Sequence, residues 1–476
     1  MRKLVVPPGT YPCQWSYRDE AVAGELSFEP SSRPAGELFN ASGIWVDHEN
    51  SKSFSPHVDR VEIVRGWTRR GDDIALLGAQ IRHVFPERSL VQAELGLVGH
   101  DLPEDLLFPS VEFQVGGLTE LSGVRPLKHV SMPKTLDGDP KIAATWNSEG
   151  TRQRWMTSDG DELELNYDAN MSWNEFYGLS VTAAPVVTVA GVPRSAEEWM
   201  RRYVRPMAEI TTLATQHSQT ISWVCLGRAQ GRFPVQVIAA DIAQQPYDAS
   251  PPEHDALITH GSGTLFRLGG EGAASLPDLF ERWAHLRSTH GTFFDYLTVA
   301  MRNTLSTRSR FLALVPALEG LHLARYGDGP VPRNAFQKMR KAVIKRLSVI
   351  ENVESDDIAF LKEWLAPYGS YQLAYRLREI FEKEIGPDLN GQIRARVDPL
   401  PDSLVGFVEG VEDVWAVMGT ARNRIAHGAE IQPSSAQLGV LTRLAHTITV
   451  GAALRILGVS DAVLCESINQ DRWQVC

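Results

Sequence analysis

Gly269-Gly270-Glu271-Gly272-Ala273-Ala274-Ser275 is the stretch on which the fold divides. Its residues are small and ask for no packing partner, which is the composition of a flexible linker. A phosphate-binding loop would continue into Gly-Lys-Ser or Gly-Lys-Thr, and this one does not. The hydrophobic pattern also changes period here, from about two upstream to about 3.6 downstream. The expected fold class is therefore α+β: a β-rich N-terminal domain with an inserted helix over residues 1–268, a linker over 269–276, and an all-α helical bundle over 277–476.

Upstream of the linker, Arg60-Val61-Glu62-Ile63-Val64, Asp73-Ile74-Ala75-Leu76-Leu77, Val111-Glu112-Phe113-Gln114-Val115 and Glu162-Leu163-Glu164-Leu165 are short and separated by Gly, Asp, Ser and Pro. Many of them alternate apolar with polar, as half-buried antiparallel strands do. The inserted helix is expected from Ser195 to His217. Ser195 and Glu198 have the spacing of a capping box, and Trp199, Tyr203, Met207 and Ile210 recur on one face. Pro206 is expected to kink or split it. Strand character returns at Ile221-Ser222-Trp223-Val224-Cys225 and Pro234-Val235-Gln236-Val237-Ile238.

Downstream, three apolar stripes have helical spacing: Phe311, Leu314, Leu318 and Leu321; Phe336, Met339, Val343, Leu347 and Ile350; and Leu438, Leu441, Ala445, Ile448, Ala452 and Ile456. A bundle of helices follows.

Composition excludes several classes. A hydrophobic share of 43% and a charged share of 22% suit a soluble globular chain, and no apolar run approaches the roughly 20 residues of a membrane span. Met1-Arg2-Lys3-Leu4-Val5-Val6-Pro7-Pro8 breaks at prolines before a signal core forms, so the protein is expected to be cytoplasmic. Cys13, Cys225, Cys465 and Cys476 form no CxxC pair, which predicts reduced thiols and neither a zinc knuckle nor a disulfide framework. His254 and His260, with Glu253 and Asp255 nearby, lack His-x-x-x-His spacing and read as loop residues. No metal and no cofactor are expected. Residues 289–476 hold 21 basic and 21 acidic residues, so the net charge of −11 lies wholly in the first 288. Because nucleic-acid affinity comes largely from Lys and Arg on phosphates, any RNA chemistry belongs to the rear.

The run that carries chemistry is Thr420-Ala421-Arg422-Asn423-Arg424-Ile425-Ala426-His427-Gly428. Leu404, Val408, Val411, Trp415, Met418, Arg422 and Ile425 follow one another at steps of four and three, so Arg422 is expected on the buried stripe of a single helix, with Gly428 as its stop. An arginine there needs a partner or a ligand, since a guanidinium cannot shed its charge. The bland alternative is that Arg422, Arg424 and His427 complement the negative end of the helix, worth about 0.3–1 kcal/mol.

Arg-Asn-x-x-x-His at the end of an apolar helix, followed by one more long apolar helix, resembles the Arg-x(4-6)-His signature of the HEPN superfamily. Ala317-Leu318-Glu319-Gly320-Leu321 resembles the corresponding helix of its ApeA-like branch. Val111-Glu112-Phe113-Gln114-Val115-Gly116-Gly117-Leu118, together with the helix around Trp199 and the strand around Trp223, resembles the ApeA N-terminal domain.

The resemblance implies a HEPN-type ribonuclease domain at the rear that cuts RNA, transfer RNA among the candidates, in antiviral or abortive-infection defence. It implies a homodimer through that domain, with two Arg and two His around one cleft, and a sensor or brake at the front open to a phage-derived trigger. Arg422 and His427 would be the active pair. Asn423 would orient His427 or bind phosphate, and Glu319 would be a further polar residue of the site. For Asn423 a helix-surface amide, and for Glu319 a solvated acid, are the alternatives.

The chemistry is coherent with the residues. A 2′-hydroxyl attacks the adjacent phosphorus once a base takes its proton and a cation steadies the phosphorane. Histidine suits the first task and arginine the second. Lys338, Lys341 and Lys345, backed by Arg340 and Arg346, form a basic face that would track RNA or serve solubility. A non-catalytic RNA-binding or dimerisation module is the alternative reading of the whole.

Overall fold

The computed structural model describes residues 4–18, 20–39, 45–48, 51–54, 57–85, 87–124, 126–131, 143–146, 151–174, 178–227, 234–245, 264–268, 275–302, 305–329, 333–350, 354, 356–359, 372–411 and 413–469. Two compact units divide the chain, Met1–Glu281 and Arg282–Cys476. The first is rich in sheet and the second is helical, as the change of period requires. Residues 269–274 of the glycine-rich stretch, and Glu253, His254, Asp255, His260 and Cys476, lie outside the described residues. Cys13, Cys225 and Cys465 are buried, and none of the three is joined in a disulfide.

In the first unit, six antiparallel strands close a ring: β1 (Gly9–Tyr17), β2 (Glu20–Phe28), β3 (Ala35–Phe39), β4 (His57–Thr68), β5 (Asp73–Phe85) and β6 (Arg88–Gln92). The order β5-β4-β1-β2-β3-β6 returns to β5 through a second pairing, which leaves no open edge in this ring. Inward positions alternate along each strand and supply a core of Trp15, Leu26, Phe28, Leu38, Val64, Leu76 and Ile81. Trp15 fills the ring because three neighbours lack side chains. A Cβ on Gly24 would meet the Trp15 indole nitrogen at 2.6 Å, and one on Gly66 would meet its ring at 2.7 Å.

The sheet continues from β5 through β7 (Leu95–Gly99), β13 (Val235–Ala239), β12 (Ile221–Gly227), β8 (Phe108–Val115), β11 (Gly178–Arg194), β10 (Glu162–Asn174) and β9 (Gln153–Met156). The inserted helix forms in three pieces: Ala196–Trp199, a π turn over Met200–Val204, and Arg205–Thr215. Ser195 caps it, accepting from the Glu198 N–H at 3.2 Å. Pro206 lacks an N–H and crowds the carbonyl four residues back, so the widened turn falls directly before it.

The second unit contains α1 (Gly291–Ala300), α2 (Thr307–Tyr326), α3 (Arg333–Leu347), α4 (Leu373–Lys383), α5 (Pro387–Val397), α6 (Val414–Ala426), α7 (Ser435–Ile456) and α8 (Asp461–Asn469). Two of the three stripes are core. Phe311, Leu314, Leu318 and Leu321 are buried on α2, and Leu441, Ala445, Ile448 and Ala452 on α7. The expected stripe around α3 is not buried: Met339, Val343 and, past the helix end, Ile350 are exposed, and among its described side chains α3 buries Ile344.

Candidate active site

α6 begins at Val414, not near Leu404 as the apolar spacing suggested. Leu404, Val408 and Val411 lie in a run of turns, because Gly406 and Gly410 take left-handed backbone at φ 78° and 68°. The Asp413 side chain then caps α6, accepting from the Ala416 N–H at 3.3 Å. Trp415, Val417, Met418, Ala421 and Ile425 form the buried face, with Trp415 tilted against Phe381 of α4 at 4.8 Å.

The end of α6 is a Schellman closure. Gly428 has φ 65°, its N–H reaches the Ile425 carbonyl at 3.4 Å, and the Ala429 N–H reaches the Arg424 carbonyl at 2.9 Å. His427 is therefore the last residue of the helix end and is exposed. Its imidazole has no hydrogen-bond partner among the described residues.

Arg422 sits at the edge of the buried face, with its side chain 29% exposed. Its guanidinium donates from Nη2 to Glu319 Oε2 at 3.4 Å and from Nη1 to Asn423 Oδ1 at 3.2 Å. A tight charged pair would be nearer 2.7–2.9 Å, so the group is held loosely. α2 positions Glu319, three residues after Pro316, which denies the helix one backbone bond. The structure thus brings Arg422 into contact with Asn423 and with Glu319 of α2, and puts His427 about one turn beyond Arg422 and Asn423 on their segment.

Two further arginines reach this helix end. Arg308 of α2 donates to the Ile425 carbonyl at 3.4 Å, and Arg424 donates to the Phe407 carbonyl at 3.3 Å while lying 4.8 Å over the Phe407 ring. Sequence reasoning passed over Arg308, which precedes Arg422 by more than a hundred residues and has no motif of its own. It also passed over His446 on α7. That imidazole is buried, and burial, then the nearby Arg310 charge, push it down to about 4. Its signal was a polar residue among Leu441, Ala445 and Ile448. Lys338, Lys341, Lys345 and Arg346 of α3 are exposed, and Arg340 is half-buried.

Chemically, the arrangement offers a cation with planar donors, an imidazole open to solvent, and a carboxylate that keeps the cation in place. No described helix is long and apolar enough to cross a membrane.

The family described as ApeA N-terminal domain 1 matches residues 12–261, more than half of the chain. No curated protein and no solved structure matches it.

Proposed function

We infer the function from this premise: the chain belongs to the ApeA N-terminal domain 1 family, which is associated with defence. We propose that the helical unit is a HEPN-type ribonuclease domain and that the protein is an endoribonuclease of antiviral or abortive-infection defence.

One observation carries the reading. Arg422 is half-buried yet loosely paired, and the next turn of the same segment presents His427 to solvent. In this reading His427 takes the proton from the 2′-hydroxyl of RNA, and Arg422 meets the phosphate oxygens as negative charge develops. Glu319 and Asn423 hold the guanidinium plane in place until phosphate replaces the weaker of the two contacts. The working form is a homodimer through the helical unit, as the HEPN resemblance implies, in which a second His427 protonates the leaving 5′-oxygen. The sheet unit is the sensor or brake, responding to a phage-derived trigger. The 2′-hydroxyl is the nucleophile, and base and cation come from side chains, so catalysis needs no metal. The site is proposed for the cytoplasm, with transfer RNA among its substrates.

Purified protein incubated with total cellular RNA in EDTA tests this. Cleavage that leaves 2′,3′-cyclic phosphate ends supports it, and a requirement for Mg²⁺ or Mn²⁺ at the cutting step overturns it.

The second reading is a non-catalytic RNA-binding or dimerisation module. Its support is the pairing of Arg422 with Glu319 inside one chain, which gives the guanidinium a structural partner. In that case RNA affinity and dimerisation survive His427→Ala, and no cleavage is there to be lost.

A further inference from the structure

β4 and β5 are antiparallel neighbours, and their register sets His57 opposite His83 and Asp59 opposite Ile81. Residues two apart on a strand share a face, so the two imidazoles and the Asp59 carboxylate converge. β1 brings Tyr17 to the same point. Its hydroxyl donates to Asp59 Oδ2 at 2.5 Å and lies 3.1 Å from His83 Nε2.

The spacings have a specific size. His83 Nε2 is 3.3 Å from Asp59 Oδ2, and His57 Nε2 is 3.5 Å from Asp59 Oδ1. One ligand atom from each of the three residues can be chosen so that all lie within 4.8 Å of one another. A tetrahedral ion with bonds of about 2.0–2.1 Å keeps its ligand atoms roughly 3.3 Å apart. His83 Nε2 is within hydrogen-bond reach of Asp59 Oδ2 at 3.3 Å, while the 3.5 Å gap from His57 to the carboxylate is longer than a good N–H···O bond of about 2.7–3.2 Å. The rings themselves stack, with centroids 4.3 Å apart and planes at 15°, which turns both edges toward the carboxylate.

The surroundings suit a ligand set. His83 is fully enclosed, and its Nδ1 lies 2.8 Å from Ser89 Oγ. When Ser89 accepts from Nδ1–H, the Nε2 lone pair faces the Tyr17 hydroxyl and the Asp59 carboxylate and is available to a cation. This is how an outer partner fixes the tautomer of a metal-binding imidazole. His57 and Asp59 are 20% and 26% exposed, which leaves an entry path from solvent.

We propose that His57, Asp59 and His83 bind one divalent ion of the zinc class, joining the first residue of β4 to β5, with Tyr17 beside the fourth position. Two imidazoles with one carboxylate select such an ion over calcium or magnesium, which prefer all-oxygen sets. Arg18 opposes the ion. Its guanidinium lies 2.7 Å from Asp59 Oδ2 with the side chain 44% exposed, so metal entry displaces it toward water.

The test uses the full chain stripped of metal, titrated with zinc chloride by calorimetry and with cobalt(II) chloride by visible absorption. One equivalent binds per chain. His57→Ala and Asp59→Asn each weaken binding more than about 100-fold, and Ser89→Ala weakens it about 10–100-fold, the range for an outer partner. Arg18→Gln tightens it. His57 is the decisive variant, because His83 is enclosed and its replacement endangers folding; circular dichroism matching the parent chain shows that the His57 variant is folded. No uptake by the parent chain, or uptake that His57→Ala and Asp59→Asn leave unchanged, overturns the proposal.

Discussion

Two arginine–carboxylate pairs, one in each unit, show what separates a structural charge from an available one. In the sheet unit Arg194 Nη2 lies 3.0 and 2.9 Å from the two oxygens of Asp161, with side chains 10% and 0% exposed. The Arg194 guanidinium lies 4.8 Å over the Trp199 ring, Tyr203 donates to the same carboxylate, and Asp161 fills the space where a Gly191 side chain would stand. In the helical unit Arg422 meets Glu319 at 3.4 Å, with 29% and 26% exposed. The first pair is closed off from solvent, whereas the second is open to it. Burial and distance therefore sort the two arginines before any activity is measured.

The largest effect on stability is expected from breaking the first pair. Arg194→Ala leaves the interior Asp161 carboxylate with Tyr203 and, at 3.8 Å, Arg202 as its partners, and should cost about 3 kcal/mol, the lower end for a broken buried pair, read by urea unfolding. A loss under about 1 kcal/mol would remove the contrast between the pairs.

On the helical side the matching change is chemical. His427→Ala should lower RNA cleavage by roughly 10² to 10⁴ and leave the unfolding midpoint where it was, because the side chain is exposed at a helix end. Cleavage surviving intact would remove His427 from the active pair, whereas a parent chain that cuts no RNA would move the protein to the non-catalytic reading.

The same comparison shows what the sequence made legible. Strands at Arg60–Val64, Val111–Val115 and Glu162–Leu165 were readable from their β-forming residues, although the structure extends them to His57–Thr68, Phe108–Val115 and Glu162–Asn174. The divided helix at Pro206 was readable from one missing N–H. The single helix drawn from Leu404 to Ile425 was not real. Its apolar spacing is genuine, but Gly406 and Gly410 sit inside it and local backbone preference overrode periodicity. The exposed stripe on α3 has the pattern of a core face without the burial, since periodicity reports a face and not what covers it. Arg422 and Asn423 could be picked out by position, whereas the Glu319 contact spans 103 residues and the His57–His83 alignment depends on strand register, and neither is local.

A third, smaller effect concerns a buried group on the helical side. His446 is held neutral, its imidazole pushed from 6.5 down to about 4 by burial and by Arg310. The unfolded chain takes up the proton first, so stability is full above about pH 6.5 and falls as pH drops toward 4, by about 1.4 kcal/mol per unit. At pH 5 the loss is about 2 kcal/mol. Unfolding of the parent chain and of His446→Leu at pH 7.5 and pH 5 checks this: the variant should lose less on acidification. Equal losses would show that His446 does not carry the response.

The smallest change in stability is expected where confusion between structure and chemistry is greatest, at Arg422. If its role were structural, Arg422→Ala would take a partner from Glu319 as Arg194→Ala takes one from Asp161, and melting would fall. But Glu319 is about a quarter exposed and 3.4 Å away, so water can solvate it once the guanidinium is gone, and a partly exposed pair of this kind is worth about 0–1 kcal/mol. Melting of Arg422→Ala should therefore stay within about 1 kcal/mol of the parent or rise slightly, as happens where a site holds charge for a ligand. Cleavage should be abolished in the same variant. Arg422→Lys should be nearly as inactive, since an ammonium keeps the charge but lacks the planar donor pair that grips a phosphate. A lysine variant with full activity, or an alanine variant with a melting loss like that of Arg194→Ala, would return Arg422 to the structural class and leave His427 without its partner.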